Sequence, residues 1–115
     1  MKYLFVLNDS HYGNQRTYNG LRLAVALVKA NASVSIFLLG DGVTAALDGF
    51  SPAHADYNPQ EMLRFIVAHG ARIGVCRTCM EARGIPDTAL IAGATRSTMD
   101  ELITWTEECD RVLVF

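Results

Sequence analysis

Tyr3-Leu4-Phe5-Val6-Leu7, closed by the polar triplet Asn8-Asp9-Ser10, is the stretch that sets the fold. A strand with one wet face alternates apolar and polar residues. An unbroken apolar run of this length reads instead as a strand covered on both faces. Strands of that kind belong to parallel sheets with helices packed above and below.

The chain beyond Leu7 repeats the pattern. A polar loop containing Gly13 runs to Gln15, and a helix is expected over about 15–30. Its apolar stripe is Tyr18, Leu21, Val25 and Val28, reinforced by Ala24 and Leu27, which fits a 3.6-residue period. Asn31 is the expected stop. Residues 33–39 (Ser-Val-Ser-Ile-Phe-Leu-Leu) form a second strand, and Gly40-Asp41-Gly42 turns the chain. Asp41 is expected to cap a short helix from Val43 to Leu47. The stretch 49–58 is rich in turn formers, contains Pro52 and His54, and reads as the longest irregular loop, a candidate lid or interface element.

Asn58-Pro59 is a helix start, with Asn as cap and Pro at the first helical position, where its missing N–H costs nothing. Met62, Leu63, Ile66 and Val67 supply the apolar face, and Gly70 ends the helix. Ala71 to Val75 reads as a short third strand with Cys76 at its end, followed by a turn or two of helix over 77–83 closed by Gly84. Ile85 to Ile91 reads as extended, a possible strand despite Pro86. Ser97 is the expected cap of a last helix, with Met99, Leu102, Ile103 and Thr106 on one side. Arg111 to Phe115 is the final strand.

Strands and helices alternate throughout, which demands parallel pairing with right-handed crossovers and helices on both faces of one sheet of about five strands. The whole chain, 1–115, is read as one α/β domain, because 115 residues are too few for two ordinary cores. Half of the residues are apolar and 19% are charged. That is more apolar surface than a lone small domain buries, and it predicts a homo-oligomer.

The formal net charge is −2, and the ten Lys and Arg residues are scattered. This is not the basic footprint of a nucleic-acid binder. No segment approaches the roughly 20 apolar residues that span a bilayer, and the first seven residues are too short for a signal-peptide core. A cytoplasmic protein without membrane or nucleic-acid partners is therefore expected. Three cysteines, an odd number, do not make a secreted disulfide framework.

In sheets of this type, ligands and catalytic groups gather outside the carboxyl ends of the strands. Three loops leave those ends, at 8–14, 40–43 and 76–79, so chain direction alone puts Cys76 on that edge. A thiol at a helix start, with Arg77 and Arg83 nearby, has reason to ionise below its ordinary range. The competing reading is a buried core cysteine. Cys79, three residues on, shares a helix side with Cys76. It is either a resolving thiol for an oxidised or persulfidated Cys76 or a residue facing the core. One Cys-x-x-Cys supplies two ligands where structural zinc wants four, so no metal is expected. The glycine loops match neither a dinucleotide nor a phosphate-binding motif, so no cofactor is expected. Cys109 reads as structural. His11 reads as an exposed loop histidine that could approach Cys76, and His54 and His69 are given no role.

Several segments, in order, resemble the DsrE/DsrF-like family, in its small YchN-like branch. They are Asn8 to Gly13 with Tyr12-Gly13, Leu21 to Leu27, Leu39 to Leu47, Tyr57-Asn58 ahead of Met62-Leu63, and Cys76-Arg77-Thr78-Cys79 followed by Arg83-Gly84-Ile85. Trp105 with Cys109 to Phe115 completes the set. The resemblance implies a flavodoxin-like parallel sheet, assembly into trimers or hexamers, and a sulfur-relay role in which one cysteine carries sulfur as a persulfide between donor and acceptor proteins. That cysteine lies eight residues before the glycine of an Arg-Gly pair, which here selects Cys76 and not Cys79. Main-chain N–H groups at the start of the 77–83 helix, together with Arg77, would stabilise its anion. Tyr12 and Gly13, in the 8–14 loop, would border the pocket. An oligomeric binding or regulatory module with inert thiols, or a dithiol redox switch, are the alternatives.

Overall fold

The computed structural model describes residues 1–49 and 57–115. The 49–58 lid or interface loop, with Pro52 and His54, thus lies largely outside the described residues. Five strands form one parallel sheet: β1 (Lys2–Leu7), β2 (Ser33–Leu38), β3 (Arg72–Cys76), β4 (Ala94–Ser97) and β5 (Arg111–Val114), in the order β4-β3-β2-β1-β5. Between them lie α1 (Arg16–Lys29), a 3₁₀ segment (Gly40–Ala46), α2 (Pro59–Ala68), α3 (Arg77–Ala82) and α4 (Met99–Glu108).

The apolar run at the chain start is the middle of this sheet. Leu4, Phe5 and Leu7 are fully buried, because β1 has a strand on each side and a helix layer on each face. In α1, Gly20 lies so close to Leu7 and Phe115 that a methyl group there would meet the Leu7 side chain at 2.9 Å. The opposite face carries α4: Trp105 meets the Phe37 ring edge-on at 5.7 Å and covers Gly74. The sheet is therefore covered on both faces, a flavodoxin-like, doubly wound α/β arrangement. Among the described residues no helix is long and apolar enough to cross a membrane.

The strand order fixes where a site can form. The chain steps from β1 through β4 in one direction, and right-handed crossovers keep those connections on the α1 face. It then returns across the whole sheet to β5, with α4 on the other face. The exits of β3 and β4 therefore diverge to opposite faces. A gap between neighbouring strands with diverging exits is the switch point where ligands enter such sheets.

Four local expectations need correction. The fourth strand is Ala94–Ser97, not 85–91. It is a short polar edge strand paired only with β3, so it carries no apolar signature. The apolar text of 85–91 instead anchors a loop: Ile91 is buried, and Leu90 bridges to Leu47. The last helix is capped by Thr98, whose hydroxyl accepts the Glu101 N–H, while Ser97 donates its own hydroxyl to the Glu101 carboxylate at 2.6 Å. The buried side of α4 is Trp105, whereas Met99 and Ile103 are 57% and 52% exposed. Asp41 lies inside the first turn of the 3₁₀ segment, which begins at Gly40, and does not cap it. By contrast, Asn58 caps α2 by accepting the Glu61 N–H, as its sequence predicts.

Candidate functional site

Cys76 is the last residue of β3 and also the N-cap of α3. Its sulfur takes the place that a Ser or Asp oxygen usually fills at a helix start. The main-chain N–H of Cys79 donates to Cys76 Sγ at 3.3 Å, and the Thr78 hydroxyl lies 3.4 Å from it. Across the sheet ladder Cys76 stands in register with Ser97, the last residue of β4. The sulfur is thus at the mouth of the switch point.

The residue is 7% exposed. It is not sealed, because it lines a cavity of about 350 Å³ formed with Phe37, Arg77, Thr78, Ser97, Thr98, Met99 and Asp100. Residues from β2, β3, β4 and the starts of α3 and α4 contribute, so the cavity follows directly from the strand order.

Cys79 packs beside Cys76, its main-chain N–H on the Cys76 sulfur. Its own sulfur accepts the Gly40 N–H at 3.2 Å. Gly40 has φ +54° and its neighbour Gly42 passes so near β1 that a methyl group would lie 2.2 Å from the Leu7 carbonyl oxygen. Only glycine lets this loop pack tightly enough to reach Cys79. Arg83 closes the arrangement from outside, donating to the Cys79 carbonyl at 3.0 Å and to the Asp41 carboxylate at 2.7 Å.

The pair splits its acidities. Burial pushes the Cys76 thiol up, but hydrogen bonds from the Cys79 thiol, the Thr78 hydroxyl and the main-chain N–H groups of both residues outweigh it and hold Cys76 below its ordinary value. Burial pushes Cys79 up, and donating its proton toward Cys76 raises it further against the opposing Gly40 N–H. One bond therefore favours the thiolate on Cys76 and the thiol on Cys79.

The arginines do less than their sequence position suggests. Arg83 is committed to Asp41, and Arg77, half exposed at the cavity rim, reaches toward Glu81 at 3.9 Å. The lowered pKa of Cys76 comes from hydrogen bonds.

Tyr12 and Gly13 do not border this cavity. Tyr12 stacks on Tyr57 at 5.4 Å, and Tyr57 donates its hydroxyl to the His11 carbonyl. The 8–14 loop leaves β1, and β2 stands between β1 and β3, so the same sheet edge is not the same place. His11 is buried rather than exposed, with Nδ1 3.3 Å from the Thr44 hydroxyl. His69 caps the end of α2, its Nδ1 2.8 Å from the Phe65 carbonyl. Cys109 lies at the opposite, amino edge of the sheet and donates to the Thr106 carbonyl.

Sequence reasoning missed Gly40, Ser97 and Thr98 as site residues. The turn at 40–42 was on the correct edge, but its contact with Cys79 depends on strand order, which no local pattern encodes.

With this geometry in place, comparison with known proteins is informative. Protein YchN of Escherichia coli K12 is 40% identical over 116 residues, covering 99% of this chain and 98% of that protein. The crystal structure of ychN protein from E. coli superposes with a TM-score of 0.93 over 99% of this chain and 98% of that one. A protein named sulfurtransferase TusD homolog, from Vibrio vulnificus YJ016, is 29% identical over 87 residues, 74% of this chain and 66% of that protein. The family model described as DsrE/DsrF-like matches residues 1–115, and together with the YchN likeness it establishes that this chain belongs to the DsrE/DsrF-like family.

Proposed function

We propose that this protein is a sulfur carrier that holds sulfane sulfur as a persulfide on Cys76. One observation carries the reading: a thiol that accepts the Cys79 N–H at 3.3 Å and lies 3.4 Å from the Thr78 hydroxyl opens onto a cavity at the switch point of the sheet, and these hydrogen bonds hold its pKa below the ordinary value. The likeness to a sulfurtransferase TusD homolog supports the same chemistry.

The Cys76 thiolate attacks the outer sulfur of a donor persulfide, and the donor leaves as its own thiolate. The Cys76 persulfide then projects its outer sulfur into the cavity. There an acceptor thiolate takes that sulfur and returns Cys76 to the thiolate. Thr78 and the N–H groups of Thr78 and Cys79 hold the sulfur in place throughout, and Arg77 lies at the rim as a contact for the incoming partner. Donor and acceptor proteins, a reducing cytoplasm that keeps the thiols free, and homotrimeric or homohexameric assembly belong to the same proposal. Exposed Met99, Ile103, Val112 and Val114, all on the α4 side of the sheet, support the assembly.

The test is intact-mass measurement after exposure to a small-molecule persulfide. Wild type gains the mass of one sulfur and Cys76→Ser gains none. Equal loading of both would remove Cys76 from the role.

A further inference from the structure

A persulfide on Cys76 has two electrophilic sulfurs, and the fold gives them different neighbours. The outer sulfur stands in the cavity, where a partner's thiol can reach it. The inner sulfur, Cys76 Sγ, is 7% exposed and enclosed by Thr78, Cys79 and the end of β3. The neighbouring nucleophile is Cys79, one helical turn on, whose main-chain N–H donates to Cys76 Sγ at 3.3 Å.

Resting on the persulfide reading of Cys76, we propose that Cys79 discharges the carrier internally, attacking the inner sulfur of the Cys76 persulfide and expelling the outer one as sulfide. The Cys79 thiolate forms the Cys76–Cys79 disulfide as the bond between inner and outer sulfur breaks. The outer sulfur leaves with the bonding pair and takes up the proton that Cys79 gives up, departing as HS⁻. The sulfane sulfur is reduced by two electrons and the two cysteine sulfurs are jointly oxidised by two, so the step needs no outside oxidant. A dithiol reductant then restores both thiols.

The same contacts make discharge conditional on loading. While Cys76 is an anion, it accepts the Cys79 proton and keeps Cys79 unreactive. Once Cys76 bears a second sulfur, the negative charge moves to the outer atom in the cavity. The bond that retained the Cys79 proton weakens, and the Gly40 N–H remains to stabilise a Cys79 thiolate. A loaded carrier without an acceptor thus releases its cargo as sulfide, while an acceptor that arrives first takes it from the cavity.

The experiment loads full-length protein with glutathione persulfide, removes excess reagent and follows intact mass and free sulfide without added thiol. Wild type is expected to lose the added sulfur, fall to two hydrogens below the reduced chain and release one equivalent of sulfide. Arg77 lies between the two thiols, so tryptic cleavage after it leaves two peptides joined by the new bond. Cys79→Ser is expected to load and keep its persulfide. A wild-type persulfide as durable as that of Cys79→Ser, or sulfide release without the disulfide, overturns the inference and leaves the carrier reading standing. No loading of wild type at all removes the carrier reading, and the inference with it.

Discussion

Cys76 and Ser97 face each other in register at the carboxyl ends of β3 and β4, the two neighbouring strands whose exits diverge to opposite faces of the sheet. That pairing turns a cysteine at the end of a strand into a cysteine at the mouth of a cavity.

Thr78→Val tests the hydrogen bonds that hold the anion. It removes the hydroxyl 3.4 Å from the Cys76 sulfur while keeping the side chain's shape. Losing a bond to the charged form raises the pKa toward the ordinary thiol value. The midpoint of Cys76 alkylation against pH is expected to move upward, with thermal stability changed by less than about 1 kcal/mol. An unmoved midpoint would show that the hydroxyl does not act on the sulfur.

Gly42→Ala tests the loop that reaches the site. A methyl group 2.2 Å from the Leu7 carbonyl oxygen cannot be accommodated without moving backbone. A loss of about 1–3 kcal/mol in chemical denaturation is expected, as for other overpacked positions. Displacing Gly40 also loosens its N–H contact with Cys79, so Cys79 is expected to be labelled faster than in wild type.

Trp105→Ala tests the α4 layer. The indole is buried against Phe37, with the Arg72 guanidinium 4.2 Å from its ring centre. Removing so large a buried side chain is expected to cost about 3–5 kcal/mol. A loss below about 1 kcal/mol would mean that α4 is not held through this residue.

How far the chain could be read without its structure followed from burial. β1 was legible because it is covered on both faces, so that every position from Leu4 to Leu7 had to be apolar. β4 was not, because Ala94–Ser97 is an edge strand with exposed Thr95 and Arg96. In α4 the exposed apolar residues Met99 and Ile103 imitated a core stripe, while Trp105 alone of that helix is fully packed. The place of Cys76 at the carboxyl edge was legible from chain direction, which fixes the sheet edge. Tyr12 and Gly13 were grouped with it wrongly, because direction fixes the edge but not the strand order. Gly40 meets Cys79 across 39 positions of sequence, through a turn that only glycine can make so tight.

The most direct test of the account is the rate at which Cys76 is alkylated as a function of pH, followed at the peptide level in folded wild-type protein. Hydrogen bonds that outweigh burial favour the thiolate, so the reactive form accumulates at lower pH than in an ordinary thiol. The midpoint is expected below the usual thiol value, with a neutral-pH rate above that of Cys79 and Cys109. A midpoint at or above the usual value, or a Cys76 that reacts only after unfolding, would contradict the claim.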